Sequence, residues 1–155
     1  MNELQDLGVT LNSQSAWSSP FAYSATTLAG SLNLNVYTAG WVFEATRKLE
    51  ALRRLRAGWD SYGGLPLKPE ARNFTVRILG WLGREELPVP AVVLGSGGTI
   101  QLEWRAKGKE LDVELRDNDT IEYVKASPGG EIEEGEAGPN LPAKLQHLAG
   151  WLLRD

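Results

Sequence analysis

The chain has 155 residues, a length that suits one domain with one hydrophobic core. Cysteine is absent and the only histidine is His147. The composition therefore excludes disulfides, thiolate metal sites, cysteine nucleophiles and any site that needs two histidines. No apolar run approaches the roughly 20 residues of a membrane-spanning helix, and the N-terminus lacks a secretion-signal pattern. We expect a cytoplasmic protein without a membrane partner.

The net charge is −4, but its distribution along the chain is uneven. Residues 41–84 contain nine Lys/Arg and four Asp/Glu, whereas residues 85–137 contain five Lys/Arg and thirteen Asp/Glu. This pattern has two interpretations. The basic stretch contacts an anionic partner, or basic helices and an acidic sheet partly neutralise each other on one surface.

Residues 1–40 differ from the rest of the chain. They are rich in Ser, Thr, Asn, Ala and Gly, and they contain the aromatic residues Trp17, Phe21, Tyr23 and Tyr37. Apolar and Asn residues alternate over residues 32–36, which predicts one short strand. We interpret this segment as an N-terminal arm that packs either on its own domain or on a partner chain.

Three helices are predicted from apolar residues at three- and four-residue steps. They cover about residues 41–57, 69–83 and 141–153. Gly58 is expected to end the first helix. The apolar face of the second helix is expected to include Trp81.

Alternating apolar and charged residues predict a β-meander over residues 91–126, with an exposed acidic loop over 127–138. One face of the sheet is apolar and the other is charged, which is typical of an antiparallel sheet covered on one side. The predicted fold class is therefore α+β. Residues 41–155 form one domain in which two to three helices cover one face of a three- to four-stranded antiparallel meander. The expected core residues are Leu49, Leu52, Phe74, Ile78, Ile100, Leu102, Trp104, Leu111, Val113 and Leu115.

The loop between the first two helices, residues 58–69, combines three Gly and two Pro with Trp59, Asp60 and Tyr62. Two interpretations stay open. In one, the aromatic residues fold back on the helices and Asp60 bonds to free backbone amides. In the other, the three side chains project outward as anchors for a partner, because Trp and Tyr are common interface hot spots.

Other polar groups give weaker indications. Glu103, Asp112, Glu114 and Glu122 fall on the charged sheet face, where paired carboxylates can perform acid–base or metal chemistry, but alternating charge is also the normal pattern of an open sheet. The segment 117–119 lacks the downstream ligands of a calcium loop. We therefore expect no metal and no cofactor, and His147 is expected on a helix surface.

A basic group on the first helix is the best candidate for nucleic-acid binding, although no helix-turn-helix or RNA-reading motif accompanies it. Its members are Arg47, Arg53, Arg54 and Arg56.

Four short segments carry a resemblance to a small family of uncharacterised bacterial proteins. They are residues 58–63 (GWDSYG), 69–71 (PEA), 100–104 (IQLEW) and 121–123 (IEY). The resemblance covers roughly residues 45–125 and implies no established chemistry. In size and compactness the family is similar to accessory proteins of bacterial conflict systems and mobile elements.

These patterns favour a non-catalytic protein-interaction module, such as an accessory subunit, an inhibitor, or an immunity or antitoxin-like protein of a bacterial or mobile-element system. The expected contact residues are Trp59, Asp60, Tyr62, Trp17, Phe21 and Tyr23. A nucleic-acid-binding accessory protein that uses the basic first helix is one alternative. A carboxylate-dependent enzyme that uses Asp60, Tyr62, Glu103 or Asp112 is another. The patterns leave the oligomeric state open.

Overall fold

The computed structural model describes residues 9–11, 21–27 and 30–155, with side chains from residue 39 onward. The chain divides into two compact units, Met1–Gly40 and Trp41–Asp155. None of the helices in the described part of the chain is long and apolar enough to cross a membrane.

The first unit contains a three-stranded antiparallel sheet of order β1-β2-β3. Its strands are β1 Val9–Leu11, β2 Phe21–Thr27 and β3 Gly30–Thr38. The strand predicted at residues 32–36 is confirmed as part of β3. The sequence did not predict β1 and β2, because β1 has only three residues and β2 is rich in Ala, Ser and Thr, which give no clear alternation.

The second unit is an α+β domain built on a five-stranded antiparallel meander of order β4-β5-β6-β7-β8. This confirms the predicted fold class, with one strand more than the upper prediction. The strands are β4 Ala91–Leu94, β5 Ile100–Ala106, β6 Lys109–Leu115, β7 Ile121–Ala126 and β8 Ile132–Ala137.

The strand β8 replaces half of the acidic loop that the sequence predicted over residues 127–138. It pairs with β7 in a regular register, with Glu133 opposite Lys125 and Glu134 opposite Val124. The prediction was wrong because β8 is an edge strand whose residues are mostly exposed, so it shows no apolar alternation. Charged residues on an edge strand are a common way to prevent sheet-to-sheet pairing.

Three helices complete this unit: α1 Gly40–Leu52, α2 Pro69–Leu82 and α3 Leu141–Leu153. α1 ends five residues before the predicted end. The amides of Arg54 and Leu55 bond three residues back, to the carbonyls of Ala51 and Leu52, so the chain tightens into turns there. The expectation for Trp81 was also wrong, because its side chain is at the exposed surface of α2.

The core lies between the helices and the apolar face of the meander. All the expected core residues are buried except Leu52, which is half-buried at the end of α1. Trp41 of α1 and Trp104 of β5 meet edge to face, with ring centroids 6.3 Å apart. The Nε1 atom of Trp41 donates to the carbonyl of Glu85 at 2.8 Å, which ties α1 to the segment after α2.

Candidate functional site

The loop between α1 and α2 is closed by its own backbone. The amide of Gly58 donates to the carbonyl of Gly64 at 2.8 Å, and the amide of Ser61 donates to the carbonyl of Gly58 at 3.0 Å. Ser61 adopts a positive φ of 66°, a backbone conformation that residues with a side chain seldom adopt. The segment from Gly58 to Gly64 is therefore a compact turn held in one specific conformation.

The Asp60 carboxylate stabilises this turn from inside. Its Oδ1 atom accepts hydrogen bonds from the amides of Gly64 at 2.8 Å and Tyr62 at 2.9 Å. These bonds favour the ionised form, so the amides of Gly64 and then Tyr62 hold the pKa of Asp60 below its ordinary value. A Cβ on Gly64 would lie 2.7 Å from the Asp60 carboxyl carbon, so the position of this carboxylate favours glycine there.

Trp59 also has a structural contact. Its Nε1 atom donates to the carbonyl of Leu65 at 3.0 Å, and its side chain is half-buried. The indole of Trp59 is therefore hydrogen-bonded to the loop backbone at Leu65. This arrangement agrees with the interpretation in which Trp59 and Asp60 fold back to lock the loop.

The end of the loop docks on the turn between β4 and β5. The amide of Leu65 donates to the carbonyl of Ser96 at 2.7 Å, and the amide of Lys68 donates to the carbonyl of Gly98 at 3.0 Å. Gly98 has a φ of +78°, and a Cβ on it would lie 2.5 Å from the Pro66 carbonyl oxygen. Only glycine permits this close approach of the two loops.

Tyr62 differs from the other two predicted loop residues. Its backbone amide is bonded to Asp60, but its residue surface is 94% exposed. Leu65, three positions later, is also an exposed large apolar side chain. Of the three loop residues predicted to contact a partner, the structure thus presents Tyr62 at the surface and uses Trp59 and Asp60 to hold the loop.

The basic residues of the α1 region differ in their partners. Arg47 pairs with Glu44 at 2.5 Å, and Arg53 pairs with Glu50 at 2.7 Å. The exposed Arg54 and Arg56 form no ion pair with the residues that the structure describes. The four predicted nucleic-acid contacts therefore do not form a uniform positive surface.

Glu50 also binds a residue that the sequence analysis did not single out. Arg72 of α2 contacts Glu50 Oε1 from Nη2 at 2.6 Å and donates to it from Nε at 2.7 Å. Burial raises the pKa of Glu50, but the hydrogen bonds from Arg53 and Arg72 outweigh it and lower the pKa. No sequence pattern signals this pair, because Arg72 lies 22 positions from Glu50 and only the tertiary fold brings them together.

The carboxylates of the sheet are neutralised by arginines on the same face. Glu103 lies opposite Asp112, and Arg105 contacts Asp112 at 2.7 Å and Glu103 at 3.8 Å. Arg116 likewise pairs with Glu114 at 3.0 Å and with Glu122. These ion pairs favour the interpretation of a solvated sheet face.

The candidate enzyme residues are engaged separately in the described part of the chain. The described contacts of Asp60 are with loop amides, whereas those of Glu103 and Asp112 are with Arg105. Among residues 9–11, 21–27 and 30–155, no group of three or more acids or histidines could hold a metal ion. His147 is exposed on α3.

The aromatic contacts predicted in the N-terminal arm lie largely beyond the described residues. Trp17 is outside them altogether. Phe21 and Tyr23 belong to β2, where the register pairs Tyr23 with Leu11 and Val36, but their side chains are outside the described part. The prediction that these three residues contact a partner stays a prediction.

Comparisons of the chain with protein families, with curated proteins and with solved structures find no match. The geometry of the loop and its surroundings is therefore the basis for a functional proposal.

Proposed function

We propose that this protein is a non-catalytic protein-interaction module whose partner contact is centred on Tyr62. The observation that carries the proposal is the combination of a 94% exposed Tyr62 with a loop locked by Asp60 and Trp59. Tyrosine is among the residues that most often dominate interface energetics. A large exposed aromatic on a fixed backbone is therefore a suitable anchor.

The fixed conformation of the loop supports partner binding because it lowers the entropy cost of binding. Binding a mobile loop costs free energy because the loop must be ordered, and a preformed loop avoids most of that cost. The hydrogen bonds from Gly58, Gly64 and Leu65 fix the backbone on both sides of Tyr62 before any partner arrives. The exposed Leu65 adds apolar area near the tyrosine.

The proposed biological role is that of an accessory subunit, an inhibitor, or an immunity or antitoxin-like protein of a bacterial or mobile-element system. Each of these roles needs a stable surface that recognises one protein rather than a catalytic pocket. The ion pairs that occupy Glu103, Asp112 and Glu114 leave these carboxylates poorly placed for catalysis.

The test is affinity capture from the native host with the wild-type protein, Tyr62→Ala and Ile132→Ala. Ile132 is a matched control, since it is an exposed apolar residue on β8. We expect the wild type and Ile132→Ala to retain one stoichiometric protein, and Tyr62→Ala to lose about 30-fold in affinity, the effect of a typical hot spot. Because Tyr62 is exposed, its variant should melt at the wild-type temperature. Equal capture by all three proteins would overturn the proposal.

Nucleic-acid binding is the second candidate, and the exposed Arg54 and Arg56 without described ion pairs favour it. This function predicts an affinity that falls steeply with salt, because bound lysines and arginines release counterions. Co-purifying nucleic acid, measured by absorbance, would have to disappear in the double variant Arg54→Gln/Arg56→Gln. Salt-insensitive or absent binding of nucleic acid would exclude this candidate.

A further inference from the structure

A cleft with a volume of about 360 Å³ adjoins the loop that carries Tyr62. It is lined by Arg53, Leu67, Pro69, Arg72 and Asn73. Two of these residues are arginines from separate parts of the chain, and two are apolar residues at the end of the loop. The cleft therefore combines positive charge with an apolar wall.

Glu50 holds the two arginines of the cleft in place. Arg53 donates from Nη1 to Glu50 Oε2 at 2.7 Å, and Arg72 donates from Nε to Oε1 at 2.7 Å. One carboxylate thus binds two guanidinium groups, so the trio keeps a net positive charge. Each guanidinium has five N–H donors, and the described hydrogen bonds of Arg53 use a single nitrogen. Arg53 retains donors for a further oxyanion.

The chain that forms the cleft is moderately basic. Residues 50–73 contain five basic and three acidic residues. Among the three acidic residues, Glu50 forms ion pairs with two arginines, and Asp60 accepts hydrogen bonds from loop amides. The third, Glu70, is exposed in the first turn of α2. Of the bases, Lys68 is paired with Asp117 at 2.9 Å. The exposed Arg54 and Arg56 are left to attract an anion.

We infer that this cleft is an oxyanion site that receives a carboxylate side chain from an acidic segment of the protein partner. Arginine binds carboxylates through paired N–H donors, which gives both energy and orientation. The apolar Leu67 and Pro69 suit the aliphatic part of a glutamate or a neighbouring side chain. This inference rests on the proposed function, because the segment would dock beside the contact at Tyr62.

The charge distribution favours a short acidic segment over a nucleic acid. A nucleic acid is a long polyanion and would also approach residues 85–137, which hold thirteen acids and five bases. The whole chain has a net charge of −4, so its long-range field repels such a ligand. A short segment with a few carboxylates needs only the local positive field around Arg53, Arg54 and Arg72.

The test measures binding of a fluorescein-labelled peptide of four glutamates by anisotropy at low salt. The variant is Arg53→Gln, and its matched control is Arg47→Gln. Both arginines are exposed, at 57% and 63% of their side-chain surface, and both pair with a glutamate three residues earlier. We expect Arg53→Gln to weaken peptide binding about tenfold, the effect of one charged hydrogen bond. Arg47→Gln should bind as the wild type does.

Two further measurements locate the site and identify the class of ligand. In ¹⁵N-labelled protein, the side-chain Nε–Hε signals of Arg53 and Arg72 should shift with the peptide while that of Arg47 does not. A peptide of four glutamines should not bind, and a five-nucleotide thymidine oligomer, which has four phosphates, should bind more weakly than the glutamate peptide. Tighter oligomer binding with the same dependence on Arg53 would overturn the inference in favour of nucleic acid.

Two other results would also overturn the inference: no binding of the glutamate peptide, or equal losses in Arg53→Gln and Arg47→Gln. Either would leave the Tyr62 proposal intact if the host partner is still lost with Tyr62→Ala. The reverse result, peptide binding with undiminished capture by Tyr62→Ala, would reject the Tyr62 contact while keeping an oxyanion site.

Discussion

The Oδ1 atom of Asp60 accepts a hydrogen bond from the backbone amide of Gly64 at 2.8 Å. Because Gly64 has no side chain, the carboxylate can lie this close to its backbone. The bond spans four residues and closes the turn that carries Tyr62. One acid and one glycine thus fix the conformation of the most exposed aromatic residue among the described side chains.

Replacing Gly64 with alanine should open this turn. The new Cβ would lie 2.7 Å from the Asp60 carboxyl carbon, so the carboxylate would have to shift, which would strain its bonds to the amides of Gly64 and Tyr62. The matched control is Gly80→Ala on α2, where a Cβ would meet no atom within 4 Å. We expect this control to stabilise the protein by about 0.4–1 kcal/mol, because alanine restricts the unfolded chain. Gly64→Ala should instead lower the free energy of unfolding measured in urea. Stabilisation by both variants would contradict the close packing of Asp60 on Gly64.

The negative charge of Asp60 should stabilise the fold at neutral pH and not at strongly acidic pH. The amides of Gly64 and Tyr62 lower the pKa of Asp60 in the folded protein. The ionised carboxylate therefore contributes fully to folding stability above its ordinary pKa of 3.8, and this contribution is lost as the pH falls through the lower pKa of the folded state. Asp60→Asn keeps an oxygen acceptor without the charge. We expect the wild type to be more stable than Asp60→Asn at pH 7 and the difference to shrink below pH 3.8. Asp60→Ala should be less stable than both at pH 7. A pH-independent difference between wild type and Asp60→Asn, measured by thermal melting, would disprove the role of the charge.

The two core tryptophans that meet edge to face, Trp41 and Trp104, should respond differently to removal of the indole N–H. Trp41 Nε1 donates to the Glu85 carbonyl, whereas the buried Trp104 Nε1 has no partner among the described residues. Both substitutions to phenylalanine remove similar volume, but only Trp41→Phe breaks a hydrogen bond. We expect Trp41→Phe to cost about 1 kcal/mol more than Trp104→Phe in denaturant unfolding. A larger loss for Trp104→Phe would indicate that its N–H is bonded.

The stability of the edge strand β8 should depend more on Glu133 than on its neighbour Glu134. Lys125, only 7% exposed, pairs with Glu133 at 2.7 Å, and its Nζ lies 5.1 Å from the Trp151 ring centroid. Glu133→Gln would leave this nearly buried cation without its carboxylate, a costly arrangement. The matched variant Glu134→Gln has the same chemistry one residue along β8, opposite Val124. We expect faster hydrogen exchange of β8 amides only in Glu133→Gln. Equal exchange in the two variants would show that the ion pair does not hold the strand.

The strands β5, β6 and β7 were predictable because one face of each packs on the core. Ile100, Leu102 and Trp104 alternate with polar residues, so the side-chain period of two is visible in the sequence. β8 has no such signal, since its position beside β7 depends on backbone pairing and on the contact between Glu133 and Lys125. Periodicity also overextended α1, because Leu55 continues the apolar spacing while the backbone already turns at Arg54.

The sequence by itself determined the α+β class, most of the core, and the presence of an unusual aromatic loop between two helices. These features follow from local periodicity and composition, which need no knowledge of distant residues. Only the tertiary structure decided that Trp59 and Asp60 lock the loop while Tyr62 is exposed, and that Arg53 and Arg72 meet at Glu50. The ion pair between Arg72 and Glu50 joins residues 22 positions apart, so it forms only after the chain has folded. The hydrogen bonds of Trp59 and Asp60 are local, but the sequence left two loop conformations open, and the loop's bonds to the β4–β5 turn belong to the folded structure.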